Sequence, residues 1–113
     1  MNPGEIVLIR LQVTGATAPK LRPALLLAHL PGSYQNLLFC GISTRLQELT
    51  PQWDELMNAG DSDFGQSGLR QPSAIRLSYL YAATNSEVAG SIGSISSARL
   101  QRLRERLIHQ LQL

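Results

Sequence analysis

Three arginines and two hydroxyls carry most of the chemistry open to this sequence. Arg22 stands in Lys20-Leu21-Arg22-Pro23, directly before the apolar run "ALLLAHL". Ser43 and Thr44 end the run "LLFCGIST" and are followed by Arg45; Arg76 lies in "SAIRLS". If the two apolar runs pair as a hairpin, the start of one faces the end of the other. Arg22 then comes close to Ser43, Thr44 and Arg45, and Arg76 can join from a neighbouring strand. Several cations and two hydroxyls on one rim suit a phosphodiester, because a guanidinium pairs bidentately with phosphate oxygens and hydroxyls give or accept hydrogen bonds. Charged residues also guard solvated sheet edges against aggregation. Spacing alone leaves both readings open.

Other chemistries have less support. His29, His109 and Cys40 are far apart, with no HxxxH or CxxC pairing, so neither a metal site nor a bound cofactor is expected. "AGSIGSIS" has glycines but no GxxxxGK pattern. Cys40 in "LLFCGI" reads as a small buried hydrophobe, His29 as a structural histidine, and His109 as a favourable partial cation in the last turn of a helix.

The elements that must position these groups follow from the apolar pattern. Residues 5–13, "EIVLIRLQV", are β-branched and read as a strand. "RPALLLAHL", apolar on both faces, reads as a central strand with Pro23 at its first position, where a missing N–H costs little. Residues 37–46 form a third strand, with Gly41 as a bulge, completing an antiparallel meander. Thr50-Pro51 signals a helix start, so "PQWDELMNAG" is predicted as a short helix ended by Gly60. "DSDFGQSGLRQP" reads as a polar loop, "SAIRLSYLYAA" and "AGSIGSI" as strands. The tail is an amphipathic helix capped by Ser96 or Ser97, with Leu100, Leu103, Leu107, Ile108 and Leu111 on one face and arginines on the other. The expected fold is mainly β, a bent barrel-like sheet with a short internal helix and a C-terminal helix.

Composition narrows the class. A chain of 113 residues, 43% apolar, suits one domain spanning 1–113. The net charge of +2 argues against bulk condensation of nucleic acid, although Arg99, Arg102, Arg104 and Arg106 concentrate in the tail. A single cysteine fits a reducing cytoplasm, the start lacks a signal-peptide pattern, and no apolar stretch would cross a membrane.

The order "GEIVLIRL", "KLRPALLL", "LLFCGIST", "SGLRQPSAIRLSYL" and "GSIGSIS" resembles the MazF/PemK family of toxin ribonucleases from prokaryotic toxin–antitoxin pairs, over nearly the whole chain. That resemblance implies an SH3-like barrel working as a homodimer. It implies metal-independent cutting of single-stranded RNA by attack of the RNA's own 2′-hydroxyl. The catalytic arginine falls on Arg22 and the catalytic hydroxyl on Ser43. Lys20, Pro23, Thr44, Arg45, Arg76 and Ser78 are expected to contact substrate. It also implies an antitoxin with an acidic, disordered tail, and DNA binding through the complex of the two. Two departures stand out: Ser78 occupies a position where some members carry an acid, and the loop "TGATAPKL" lacks a histidine found in others. Four acids in "PQWDELMNAGDSDF" read as a gate on RNA access or as the mark of a different cleavage sequence. The same barrel also serves gyrase-poisoning toxins that act by binding protein, and a non-catalytic or decayed antitoxin-binding homologue is the alternative function.

Overall fold

A computed structural model describes residues 1–11, 15, 17–34 and 36–112. Six strands, β1 (Glu5–Leu11), β2 (Lys20–His29), β3 (Leu37–Ser43), β4 (Glu55–Met57), β5 (Ser73–Ala83) and β6 (Val88–Ser94), form one antiparallel sheet in the order β4-β5-β3-β2-β1-β6. Two helices, α1 (Phe64–Ser67) and α2 (Ser97–Leu111), complete the fold. The sheet is the SH3-like barrel expected, and the antiparallel β1-β2-β3 meander is present.

Strand β2 is central and buries both faces for a reason visible in the core. Leu25 and Leu27 join Ile6, Cys40, Ile42, Met57, Ile75, Leu77, Ile95 and Leu103 in one cluster. Ala24 and Leu26 join Val7, Ile9, Leu37, Phe39 and Ala83 in a second. Helix α2 covers the first cluster through Leu103, with Leu100 and Leu107 alongside; Ile108 and Leu111, expected on the same buried face, are exposed. Ser96 caps α2, its Oγ accepting the Arg99 N–H at 3.1 Å.

Several boundaries differ from expectation. The internal helix lies at Phe64–Ser67, and the segment predicted helical from Pro51 to Gly60 instead makes a turn and then β4. Gln52 has φ 71°, which a right-handed helix does not accept, and Glu55–Met57 pair with Ser73–Ile75 of β5. Tertiary pairing overrides the local N-cap signal. Pro23 is the fourth residue of β2, tolerated because the ladder to β3 begins only at Ala24. Strand β3 ends at Ser43, since Leu46–Glu48 form a 3₁₀ turn. Of the predicted first strand, Gln12 and Val13 lie outside the described residues, as do Thr14 and Ala16 of the following loop, Gln35 of the next turn and Leu113 of the tail.

The barrel is closed by the β4–β5 connection. From the β4 edge the chain reaches across to β6, where α1 packs so tightly that a Cβ on Gly68 would strike the Ile92 carbonyl and one on Gly93 would strike the backbone of Gln66 and Ser67. Gly68 also has φ 75°. The glycine in "SIGSIS" is there for close backbone approach. Among the described residues no helix is long and apolar enough to cross a membrane.

Candidate functional site

The residues singled out by type sort into two groups. Arg22, Pro23, Ser43 and Arg76 line one open cleft of about 470 Å³, together with Leu11, Gly41, Ile42, Glu48, Tyr79 and Tyr81. Strand register explains the convergence. Ala24 pairs with Gly41 across β2 and β3, and Gly41 pairs with Arg76 across β3 and β5. Arg22 precedes the first pair of that ladder and Ser43 follows it, so both lie at its open end, on the cleft. Lys20, Thr44 and Arg45 are exposed and do not line the cleft. Ser78 is turned to another partner.

That partner is Asp54, whose carboxylate is buried. Its Oδ1 accepts the Ser78 N–H at 2.9 Å, and its Oδ2 accepts the Ser78 hydroxyl at 3.0 Å and the Thr50 N–H at 2.9 Å. The register of β3 against β5 shifts between Cys40↔Leu80 and Gly41↔Arg76, leaving Leu77, Ser78 and Tyr79 in a bulge. Asp54 pins that bulge and lies 3.6 Å from Arg76 Nε. So an acid does stand against position 78, supplied from a different part of the chain.

Arg76 is held on two sides. Its guanidinium carbon sits 5.7 Å from the centroid of the Tyr79 ring, within cation–π range. Its Nε is buried with no hydrogen-bond partner, the Asp54 oxygen being too distant for one. Tyr81 is edge-on to Tyr79, with centroids 5.5 Å apart, and stacks with Phe39 at 6.1 Å. The Tyr81 hydroxyl is buried and unpartnered at the cleft wall, and burial pushes its pKa up.

Ser43 is tied down. Its Oγ donates to Glu48 Oε1 at 2.8 Å and accepts the Arg45 N–H at 3.1 Å. Glu48, Tyr79 and Tyr81 escaped sequence reasoning, and Asp54 entered it only as one of the four acids read as a gate. Only the proximity of "STRLQE" to the expected hydroxyl pointed toward Glu48.

The remaining acids and the tail arginines answer one another. Arg99 is buried and makes paired bonds from Nε and Nη2 to Asp63 at 2.8 and 3.0 Å, with further bonds to Glu55 at 2.6 Å and Asp61 at 2.9 Å. Arg102 and Arg106 also bind Glu55. Arg104 donates twice to the Leu27 carbonyl, at the bulge where β2 slips against β3. The arginine face of α2 is therefore a docking surface within the protein, and three of the four acids read as an RNA gate are neutralised there. Hydrogen bonds from Arg99 bring the Asp63 carboxyl down to about 2. Burial pushes Glu55 up, but its hydrogen bonds and charges from Arg102, Arg99 and Arg106 hold it below its ordinary value.

Cys40 is fully buried, and desolvation pushes its thiol up to about 12, which removes it as a nucleophile. His29, exposed at the end of β2, meets the Met1 carbonyl at 3.0 Å through Nε2. Among the described residues no group of three or more His, Cys, Asp or Glu could hold a metal ion.

Residues 2–111 match the family model described as PemK-like, MazF-like toxin of type II toxin–antitoxin systems. Among solved structures, the Mycobacterium tuberculosis toxin MazF-mt6 is similar at a TM-score of 0.68 and 20% identity, covering 96% of this chain and 97% of that one. At that identity the likeness speaks for the fold. No match was found among curated proteins.

Proposed function

The chain belongs to the PemK-like, MazF-like toxins of type II toxin–antitoxin systems, and from that premise we propose that it cuts single-stranded RNA. The 2′-hydroxyl attacks the adjacent phosphate, leaving a 2′,3′-cyclic phosphate and a 5′-hydroxyl. The observation that supports this reading is the convergence of Arg22, Ser43 and Arg76 on one cleft. A pentacoordinate phosphorane carries more negative charge than the diester. A guanidinium that meets that excess stabilises it selectively. Arg22 supplies this charge, and Arg76, steadied by Tyr79 and Asp54, supplies a second. Two guanidiniums together take the part a metal plays in other phosphoryl-transfer sites. Ser43 orients the 2′-hydroxyl.

The substrate is messenger RNA and the place of action the cytoplasm. The restraining partner is an antitoxin with an acidic, disordered tail, and the active form is a homodimer.

The test is digestion of defined single-stranded RNA in the presence of chelator, with product ends mapped. Cyclic-phosphate and 5′-hydroxyl ends are expected. Arg22→Ala is expected to lower the rate about 100- to 1,000-fold, at least as much as Ser43→Ala, with both proteins folded by circular dichroism. Full activity of Arg22→Ala, or loss of cutting with chelator, overturns the mechanism. No cutting by the wild type moves the chain to the non-catalytic, protein-binding class of this fold.

A further inference from the structure

Attack by a 2′-hydroxyl needs a group to take its proton. Arg22 and Arg76 are excluded, because arginine stays protonated in proteins. Tyr81, with its phenol pushed up by burial, donates rather than accepts at neutral pH. Among the described residues lining the cleft, Glu48 is the one carboxylate.

Its contact with Ser43 has a direction. The Ser43 hydroxyl has one proton and two acceptor positions. The proton is committed to Glu48 Oε1 at 2.8 Å, and one acceptor position is taken by the Arg45 N–H at 3.1 Å. One acceptor position is left, on a residue that lines the cleft. The turn is locked behind it, the Glu48 N–H donating to the Arg45 carbonyl at 3.0 Å. We propose that Glu48 is the terminal proton acceptor of the cleft, acting through Ser43 as a relay.

This rests on the endoribonuclease reading above. The 2′-hydroxyl donates to the free acceptor position on Ser43 Oγ. As the O2′–P bond forms, that proton passes to Oγ and the Ser43 proton passes to Glu48 Oε1. The P–O5′ bond breaks, and the 5′-oxygen takes a proton from solvent water. Glu48 later returns its proton to water, so the enzyme ends as it began. Glu48 is thus a positioning and relay residue that meets the substrate only through Ser43. The titratable groups that line the cleft with it are Arg22 from β2 and Arg76, Tyr79 and Tyr81 from β5; Arg45 lies in its own turn and Asp54 stands behind Arg76.

The decisive variant is Glu48→Gln. Its amide oxygen still accepts from Ser43, so a merely orienting role survives, whereas a proton-accepting role does not. The measurements are kcat, KM and the pH–rate profile on a defined single-stranded RNA. Binding of the same RNA carrying a deoxy sugar at the cut site reports folding and affinity. The wild-type profile is expected to show an acid limb. Glu48→Gln is expected to lower kcat about 100-fold, leave KM and deoxy-RNA binding unchanged, and flatten the acid limb. Glu48→Ala is expected to regain activity with added formate, and Glu48→Asp to keep part of it. A wild type that cuts RNA without an acid limb overturns the relay, as does a Glu48→Gln variant with wild-type kcat. Either leaves the endoribonuclease reading standing. A wild type that cuts no RNA overturns both.

Discussion

Ser43 and Thr44 are adjacent hydroxyls with different fates, and the difference lies in where β3 ends. Successive side chains in a strand point to opposite faces. Ser43, the last residue of β3, lines the cleft and is bonded on both sides, while Thr44 has left the sheet and is exposed. Alternation puts Tyr79 and Tyr81, two residues apart, on the cleft together, and the Leu77–Tyr79 bulge brings Arg76 to the same face. Tyr79 is 48% exposed and already bears the Arg76 guanidinium on its ring. On the proposed endoribonuclease reading, this ring is the stacking face for an unpaired RNA base. Base–aromatic stacking contributes about 1–3 kcal/mol by alanine substitution. Tyr79→Ala is therefore expected to weaken binding of the deoxy-substituted RNA by about tenfold or more, while Thr44→Ala leaves it unchanged. Fluorescence anisotropy reads both, and equal effects of the two changes would remove Tyr79 from the site.

At the scale of elements, α2 is held by ion pairs as much as by its leucines. Asp63 reaches α2 twice, accepting the Ser96 N–H at 3.0 Å and the Arg99 guanidinium at 2.8 and 3.0 Å. It lies next to α1, so the connection that closes the barrel is the one that anchors the helix. Both groups of the Asp63–Arg99 pair are buried, and removing one partner leaves the other uncompensated. The pH dependence has a definite sign. The Asp63 carboxyl is lowered in the folded protein from 3.8 to about 2. A lowered acid contributes stability that is complete above its unfolded pKa and is lost as pH falls through the folded value. That shift corresponds to about 2 kcal/mol at neutral pH. Urea unfolding followed from neutral pH downward is expected to lose this contribution between about pH 4 and about pH 2. Asp63→Asn is expected to be less stable at neutral pH by about the same amount, with a flatter acid slope. An unchanged slope would assign acid sensitivity to other carboxylates.

At the scale of the whole molecule, the formal charge of +2 understates how the charge is used. The tail arginines are spent on Glu55, Asp61, Asp63 and the Leu27 and Asp54 carbonyls, whereas Arg22 and Arg76 line the cleft and Arg45 stands in the turn that follows Ser43. An acidic antitoxin tail and the RNA backbone are expected to compete for those three. Non-cleavable deoxy RNA titrated into the toxin–tail complex should displace the tail, with affinity falling as salt rises because exposed charges are screened over about 8 Å at physiological ionic strength. Ternary binding without loss of affinity would place the inhibitory surface elsewhere on the barrel. Sedimentation equilibrium of the same samples reports whether the toxin is a homodimer at micromolar concentration.

The sequence by itself determined the strand meander, β5, β6, the capped C-terminal helix and the placing of Arg22, Ser43 and Arg76 near one rim. These follow from apolar periodicity, punctuation by proline and glycine, and the family blocks, all of which are local along the chain. Tertiary structure decided what the 50–70 segment does. Its N-cap signal and its acids are local features, but β4 pairing with β5 and the arginines of a helix more than thirty residues away from Asp63 overrule them. The cleft's other walls were hidden for the same reason. Asp54 meets Ser78 across 24 residues of chain, and Arg76 joins Tyr79 and Tyr81 on the cleft across a three-residue bulge that shifts the register. A spacing pattern reports periodicity within one element; the register between elements is set by which side chains pack when the barrel closes.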